Sequence, residues 1–92
     1  MHSLTIEGEM TIYQAAELHS QIQAALQQER ALELNLAGVT ELDTAGVQVL
    51  MMAKKTAQAD GRALHLVAHS HTVQEVFELL RVASFFGDPM VL

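Results

Sequence analysis

Leu32, Leu34 and Leu36 alternate with Glu33 and Asn35. In an extended chain this spacing puts three leucines on one face and the polar residues on the other, so the segment is a strand with one buried side. The same period recurs in Leu4 and Ile6 around Thr5, and in Leu64 and Leu66 around His65. Parallel strands covered on both faces read instead as unbroken apolar runs. The alternation therefore constrains the chain to a sheet whose helices lie chiefly on one face.

Helical periodicity fills the intervals between these strands. From Tyr13 to Gln28 a single stripe carries Ala15, Leu18, Ile22, Ala25 and Leu26, with Gln14, Glu17, Gln21 and Gln28 away from it. Thr44 to Ala59 reads as a second helix, stopped by Asp60-Gly61. Val73 to Arg81 is a third, amphipathic one, preceded by the cap-rich connection His69-Ser70-His71-Thr72. Ser3–Glu7 and Glu9–Ile12 are expected to pair as a tight hairpin around Gly8. Ala31–Leu36 and Ala63–Val67 are expected as strands, Gly38–Leu42 as a connection, and Met90-Val91-Leu92 as a short terminal strand. The order β-β-α-β-α-β-α-β predicts a single small α/β domain spanning residues 1–92, with a mixed, mostly parallel sheet.

Composition removes several function classes. Aromatic residues make up only 4% of the chain, so the core must be built from Leu, Val, Ile, Ala and Met. The formal charge of −6, with Lys54-Lys55 as the one adjacent basic pair, argues against a nucleic-acid partner; that pair is expected on a solvated edge. The absence of cysteine excludes disulfides, thiolate metal sites and thiol nucleophiles. No apolar run is long enough to span a bilayer, and Met1-His2-Ser3-Leu4 lacks the features of a signal peptide, so a cytoplasmic location without membrane insertion is expected. His65, His69 and His71 lack helical ligand spacing and a nearby carboxylate pair, so no metal is expected. No phosphate-cradling glycine loop and no nucleophile elbow occurs, hence no catalytic residue, no cofactor and no enzymatic activity are expected. Phe85-Phe86 is expected to plug the core.

The stretch Leu42-Asp43-Thr44-Ala45-Gly46 closes an apolar strand-like run and opens a helix. Asp43 suits the N-cap. Thr44 then sits where backbone N–H groups point outward and favour negative charge, which makes it the candidate phosphorylation site. On the helix that follows, Val47, Leu50, Met51 and Ala57 are expected to face the sheet, and Gln48, Val49, Met52 and Lys55 to point outward. The candidate partner surface is therefore Asp43, Thr44, Ala45, Gly46, Gln48, Val49, Met52 and Lys55.

With Gly8-Glu9-Met10 before the first helix, the strand Leu32–Leu36, the segment Val39–Val47 and the helix Val73–Leu80, the whole chain resembles a STAS domain. That family includes the anti-sigma-factor antagonists of bacterial partner-switching systems. The resemblance implies helices on one side of a sheet and phosphorylation, by a cognate kinase, of the hydroxyl residue after the Asp, which is Thr44 here. It implies a protein partner: an anti-sigma or serine/threonine kinase-like protein, or a chemotaxis-type signalling protein. STAS domains also resemble the small cytoplasmic accessory subunit of bacterial lipid-transport ABC complexes, which binds the ATPase. One departure stands out: many members carry an Asp shortly after the Gly-Glu turn, where this chain has Met10-Thr11-Ile12-Tyr13.

Overall fold

The computed structural model describes residues 2–86, apart from the side chains of residues 83 and 84. The elements run β1 (His2–Met10), α1 (Ala15–Gln28), β2 (Ala31–Leu42), α2 (Thr44–Ala59), β3 (Ala63–Val67), α3 (His71–Leu80) and α4 (Ala83–Phe86). The strands form one sheet in the order β1-β2-β3, with both pairings parallel. Parallel neighbours require a crossover between them, and α1 and α2 supply it. The expected terminal strand Met90-Val91-Leu92 lies outside the described residues.

The leucine alternation lands as the spacing requires. Leu32, Leu34, Leu36, Leu64 and Leu66 are all buried, and they join Ile6, Ile22, Leu26, Leu50 and Phe77 in one hydrophobic cluster. The other face carries Ser3, Thr5, Glu33, Asn35, His65 and Val67 in registered rows, exposed or half-buried. Phe86 seals the cluster beyond α3, its ring stacked on Phe77 with centroids 5.0 Å apart, and Phe85 meets Phe86 edge-on.

Two expectations fail, for one reason. The hairpin around Gly8 does not form: β1 continues straight through Gly8 to Met10, parallel to β2. The supposed connection Gly38–Leu42 is the second half of β2, pairing with Glu7–Met10. The register shifts between Thr5 and Glu7 and again between Gly8 and Glu9. Each shift displaces the inward-facing set, so buried Leu36, Val39 and Leu42 fall three apart and lose the period of two. The extra residue at each shift lies on β2, whereas β1 keeps its period of two through Ile6, Gly8 and Met10; Gly8 passes through the strand at φ +83°, the backbone freedom that also makes glycine look like a turn. The sheet is consequently parallel throughout the described residues rather than mixed.

Two of the five basic side chains, Lys54 and Arg62, are put to structural use. Lys54 is half-buried, and its ammonium donates to the Leu64 carbonyl at 2.5 Å, so the expected solvated edge applies to Lys55 alone. The Arg62 guanidinium donates to the Leu26 and Glu29 carbonyls, satisfying acceptors at the C-terminal end of α1.

Candidate functional site

The carboxyl end of the sheet meets the start of α2 at a tight junction. The Asp43 N–H donates to the Met10 carbonyl at 3.3 Å, bringing the end of β1 against the helix entrance. Asp43 Oδ1 accepts from the Gly46 N–H at 3.0 Å, an N-cap bond. Asp43 Oδ2 accepts from the Ile12 N–H at 2.9 Å, across 31 residues of sequence. The N–H groups of Gly46 and then Ile12 hold the Asp43 carboxyl below the usual carboxylate range, because they bind its charged form.

Gly46 is needed here for space. A Cβ at that position would overlap the Met10 carbonyl oxygen and lie 2.7 Å from Leu42 Cδ1. Two of the four residues in Asp43-Thr44-Ala45-Gly46 are thus accounted for by the β1–α2 junction itself. Ala45 is half-buried. Thr44 alone is exposed, and among the described residues its hydroxyl takes no hydrogen bond.

Thr44, Gln48, Met52 and Lys55 share the outward arc of α2, and all four are exposed, Met52 by 53%. Val49 is not with them. It is 6% exposed, and Gly46 is buried too, so neither is presented to a partner. The outward reading of Val49 assumed that α2 buries one narrow stripe against the sheet. The helix in fact packs on α1 and α4 as well as on the strands, so its buried arc widens to take in Val49 and Ala53. Met51 is half-buried against the core, while Val47, Leu50 and Ala57 face it as expected.

Sequence reasoning missed a neighbouring feature. Ile12 is 67% exposed and Tyr13 88% exposed, on the turn that follows β1. Thr11 holds that turn from within: its hydroxyl donates to Gln14 Oε1 at 2.6 Å, and its carbonyl accepts from the Gln14 N–H at 3.0 Å. Where many STAS domains place an acid, this chain therefore presents two large apolar side chains beside Asp43. Their presence was legible; their exposure was not, because a short apolar pair in a turn is as often buried.

The histidines do not converge. His69 is buried with its ring edge-on to Phe77, His65 lies on the polar sheet face, and exposed His71 meets Glu75 at 2.8 Å one helical turn on. Among the described residues no three His, Asp or Glu side chains are arranged to hold a metal, and no helix is long and apolar enough to cross a membrane.

A family model described as Mlab, STAS domain, matches residues 2–91. No curated protein matches the chain. Among solved structures, the unphosphorylated anti-sigma factor antagonist SpoIIAA superposes with a TM-score of 0.75 at 17% identity, over 98% of this chain and 78% of that one. An anti-sigma factor antagonist from Mycobacterium paratuberculosis gives a TM-score of 0.82 at 20% identity, over 94% of this chain and 74% of that one. A third structure, Mglu, gives 0.62 at 23% identity over 70% of this chain and 16% of its own length. These structures share the fold of this chain. With a family match over nearly its whole length and the fold to go with it, the chain belongs to the STAS domain family.

Proposed function

We propose that the domain is a bacterial regulatory module that docks a protein partner through the outward arc of α2, and that a phosphate on Thr44 weakens the docking. The observation that carries this reading is the division of labour in the motif: Asp43 and Gly46 serve the fold, and Thr44 is left at the surface with no structural task. A phosphate there would add roughly −1.5 to −2 charges. The helix N-terminus tolerates that charge, while nearby Asp43 and Glu41 do not, so the modification alters the surface without unfolding the helix.

The partner face that suits this surface is apolar with a cationic rim. Ile12, Tyr13 and Met52 supply exposed apolar area. Glu9 and Glu41 are register partners on β1 and β2, both exposed, and neither has an ion-pair partner among the described residues. Like charges directly opposite each other on a sheet are destabilising, and a cation from a partner relieves them. Glu7, Glu9 and Glu17 also line a groove of about 190 Å³ at the same edge. A kinase-like or anti-sigma protein is the proposed partner, by analogy with the antagonists named above.

A second reading keeps the surface and changes the partner to the ATPase of a lipid-transport ABC complex. It is favoured by the family match, which covers residues 2–91, whereas the antagonists are similar only in fold. One experiment tests the shared premise and separates the two. Wild-type, Thr44→Ala and Thr44→Glu proteins are used to capture partners from the native cells, captured proteins are identified, and the intact mass of the domain is measured. The switch reading expects capture by wild type and Thr44→Ala, loss with Thr44→Glu, and a phosphate on a fraction of wild type. Equal capture by all three with no phosphate would sink it, and the identity of the captured protein decides between kinase and ATPase.

A further inference from the structure

β1 is an outer strand of the sheet, and among the described residues only β2 pairs with it from Ser3 to Glu9. The N–H and C=O groups on its other side form an open row. Folds commonly close such an edge with a proline, a lysine or a bulge in the edge strand itself. β1 has none of these: the extra residues of both register shifts lie on β2, and the only charges between Ser3 and Glu9 are those of Glu7 and Glu9. Two further observations mark the edge as a receiving one. A Cβ built on Gly8 would meet no atom within 4 Å, and a glycine inside a strand often marks a place where another backbone comes close. The groove of about 190 Å³ opens beside the same strand, lined by Glu7 and Glu9 of β1 and by Gln14, Glu17, Leu18 and Gln21 of α1. A strand edge flanked by a helix is an arrangement to which extended peptides add as a further strand.

We propose that the β1 edge is a strand-addition site for an extended segment of a partner protein that carries Lys or Arg at alternate positions. Main-chain hydrogen bonds to β1 hold the segment, and the period of two places one row of its side chains beside Glu7 and Glu9. Those two glutamates and Glu17 make no ion pair among the described residues, so an incoming cation displaces nothing. The same carboxylates select against other occupants: an acidic strand, or a second copy bringing its own Glu7, Glu9 and net charge of −6. Strand addition needs no contact with Thr44, so the inference stands apart from the docking assigned to α2.

The probe is an end-blocked peptide, Lys-Val-Lys-Val-Lys-Val-Lys, titrated into the full chain at low salt. Wild type should bind it saturably and should not bind the matching Glu-Val peptide. Methylating alternate backbone nitrogens of the lysine peptide keeps its charge and removes main-chain donors, so binding should weaken by about tenfold or more. Glu7→Gln/Glu9→Gln should weaken the unmethylated peptide by about fivefold, and Thr44→Glu should stay within about twofold of wild type. Hydrogen exchange should slow within Ser3–Glu9 when the peptide binds. No saturable binding, or equal binding of the methylated peptide, overturns strand addition. Full binding by the double glutamine variant overturns the basic occupant, as does a dimer in light scattering that the lysine peptide dissociates. Loss of peptide binding in Thr44→Glu overturns the separate site, whereas the Thr44 docking itself stands or falls on the capture experiment.

Discussion

The helices α2 and α3 open with similar chemistry and put it to different ends. Each has a short polar N-cap, Asp43 or Ser70, whose side chain accepts the N–H three residues on, from Gly46 or Val73. Each carries a threonine in its first turn. At α3 that hydroxyl is used: Thr72 donates to the Thr40 carbonyl at 3.3 Å, tying the helix to β2. At α2 the Thr44 hydroxyl faces solvent, and the cap itself does the tying, through Ile12. Where a fold leaves a polar group idle at an otherwise fully engaged junction, the idle group is the one to examine for function.

Volume should separate the two junctions most sharply. Gly46→Ala drives a methyl group into the Met10 backbone and should cost about 3 kcal/mol. At the matching position of α3 the sign of the volume effect reverses: Val73 is fully buried, and Val73→Ala should cost about 2 kcal/mol by leaving a cavity. Urea denaturation of both variants measures this; a harmless Gly46→Ala would mean that α2 can slide off β1, breaking the contrast.

The caps should differ next in their response to pH. The Asp43 carboxyl is held low in the folded state by the Gly46 and Ile12 N–H groups, so its stabilisation is fully present above the ordinary carboxylate pKa of about 4 and is lost as pH falls through the lower folded value. In melting series from pH 7 to about pH 2, the deficit of Asp43→Ala relative to wild type should therefore shrink toward the acid end. Ser70→Ala should show a deficit of about 1 kcal/mol that does not change over the same range, because a hydroxyl does not titrate there. Parallel behaviour of the two variants would remove the electrostatic part of the comparison.

The smallest effects concern the threonines. Thr72→Val should cost about 0.5 kcal/mol through the lost bond to Thr40. Thr44→Val should stay within about 0.5 kcal/mol of wild type, as an exposed site with no structural bond does. A larger loss at Thr44 than at Thr72 would show that the hydroxyl has a structural task after all.

Much of this was legible in the chain. The limits of α2 and β3 follow from the sequence to the residue, because Asp43 and Asp60-Gly61 bracket an uninterrupted helical pattern and Leu64 and Leu66 alternate cleanly. The cap and the exposed hydroxyl beside it were readable from Asp43-Thr44 alone. What failed was wherever one segment's meaning depended on another. Gly8 fits a turn or a through-strand with equal right until β2 is laid beside it, and Val49 is inside because α2 packs on α1 and α4 as well as on the strands.

Sequence alone determined the one-sided sheet, the apolar core and the helix that starts at Thr44, since these rest on periodicity and capping, which are local. Tertiary structure decided the rest of Asp43-Thr44-Ala45-Gly46: that Asp43 reaches Ile12, that Gly46 is required by the Met10 carbonyl, and that Ile12 and Tyr13 stand exposed on the turn tied to Asp43. Those facts are contacts between segments some thirty residues apart, set by the register of β1 on β2, and no local pattern in the chain encodes a register that shifts twice.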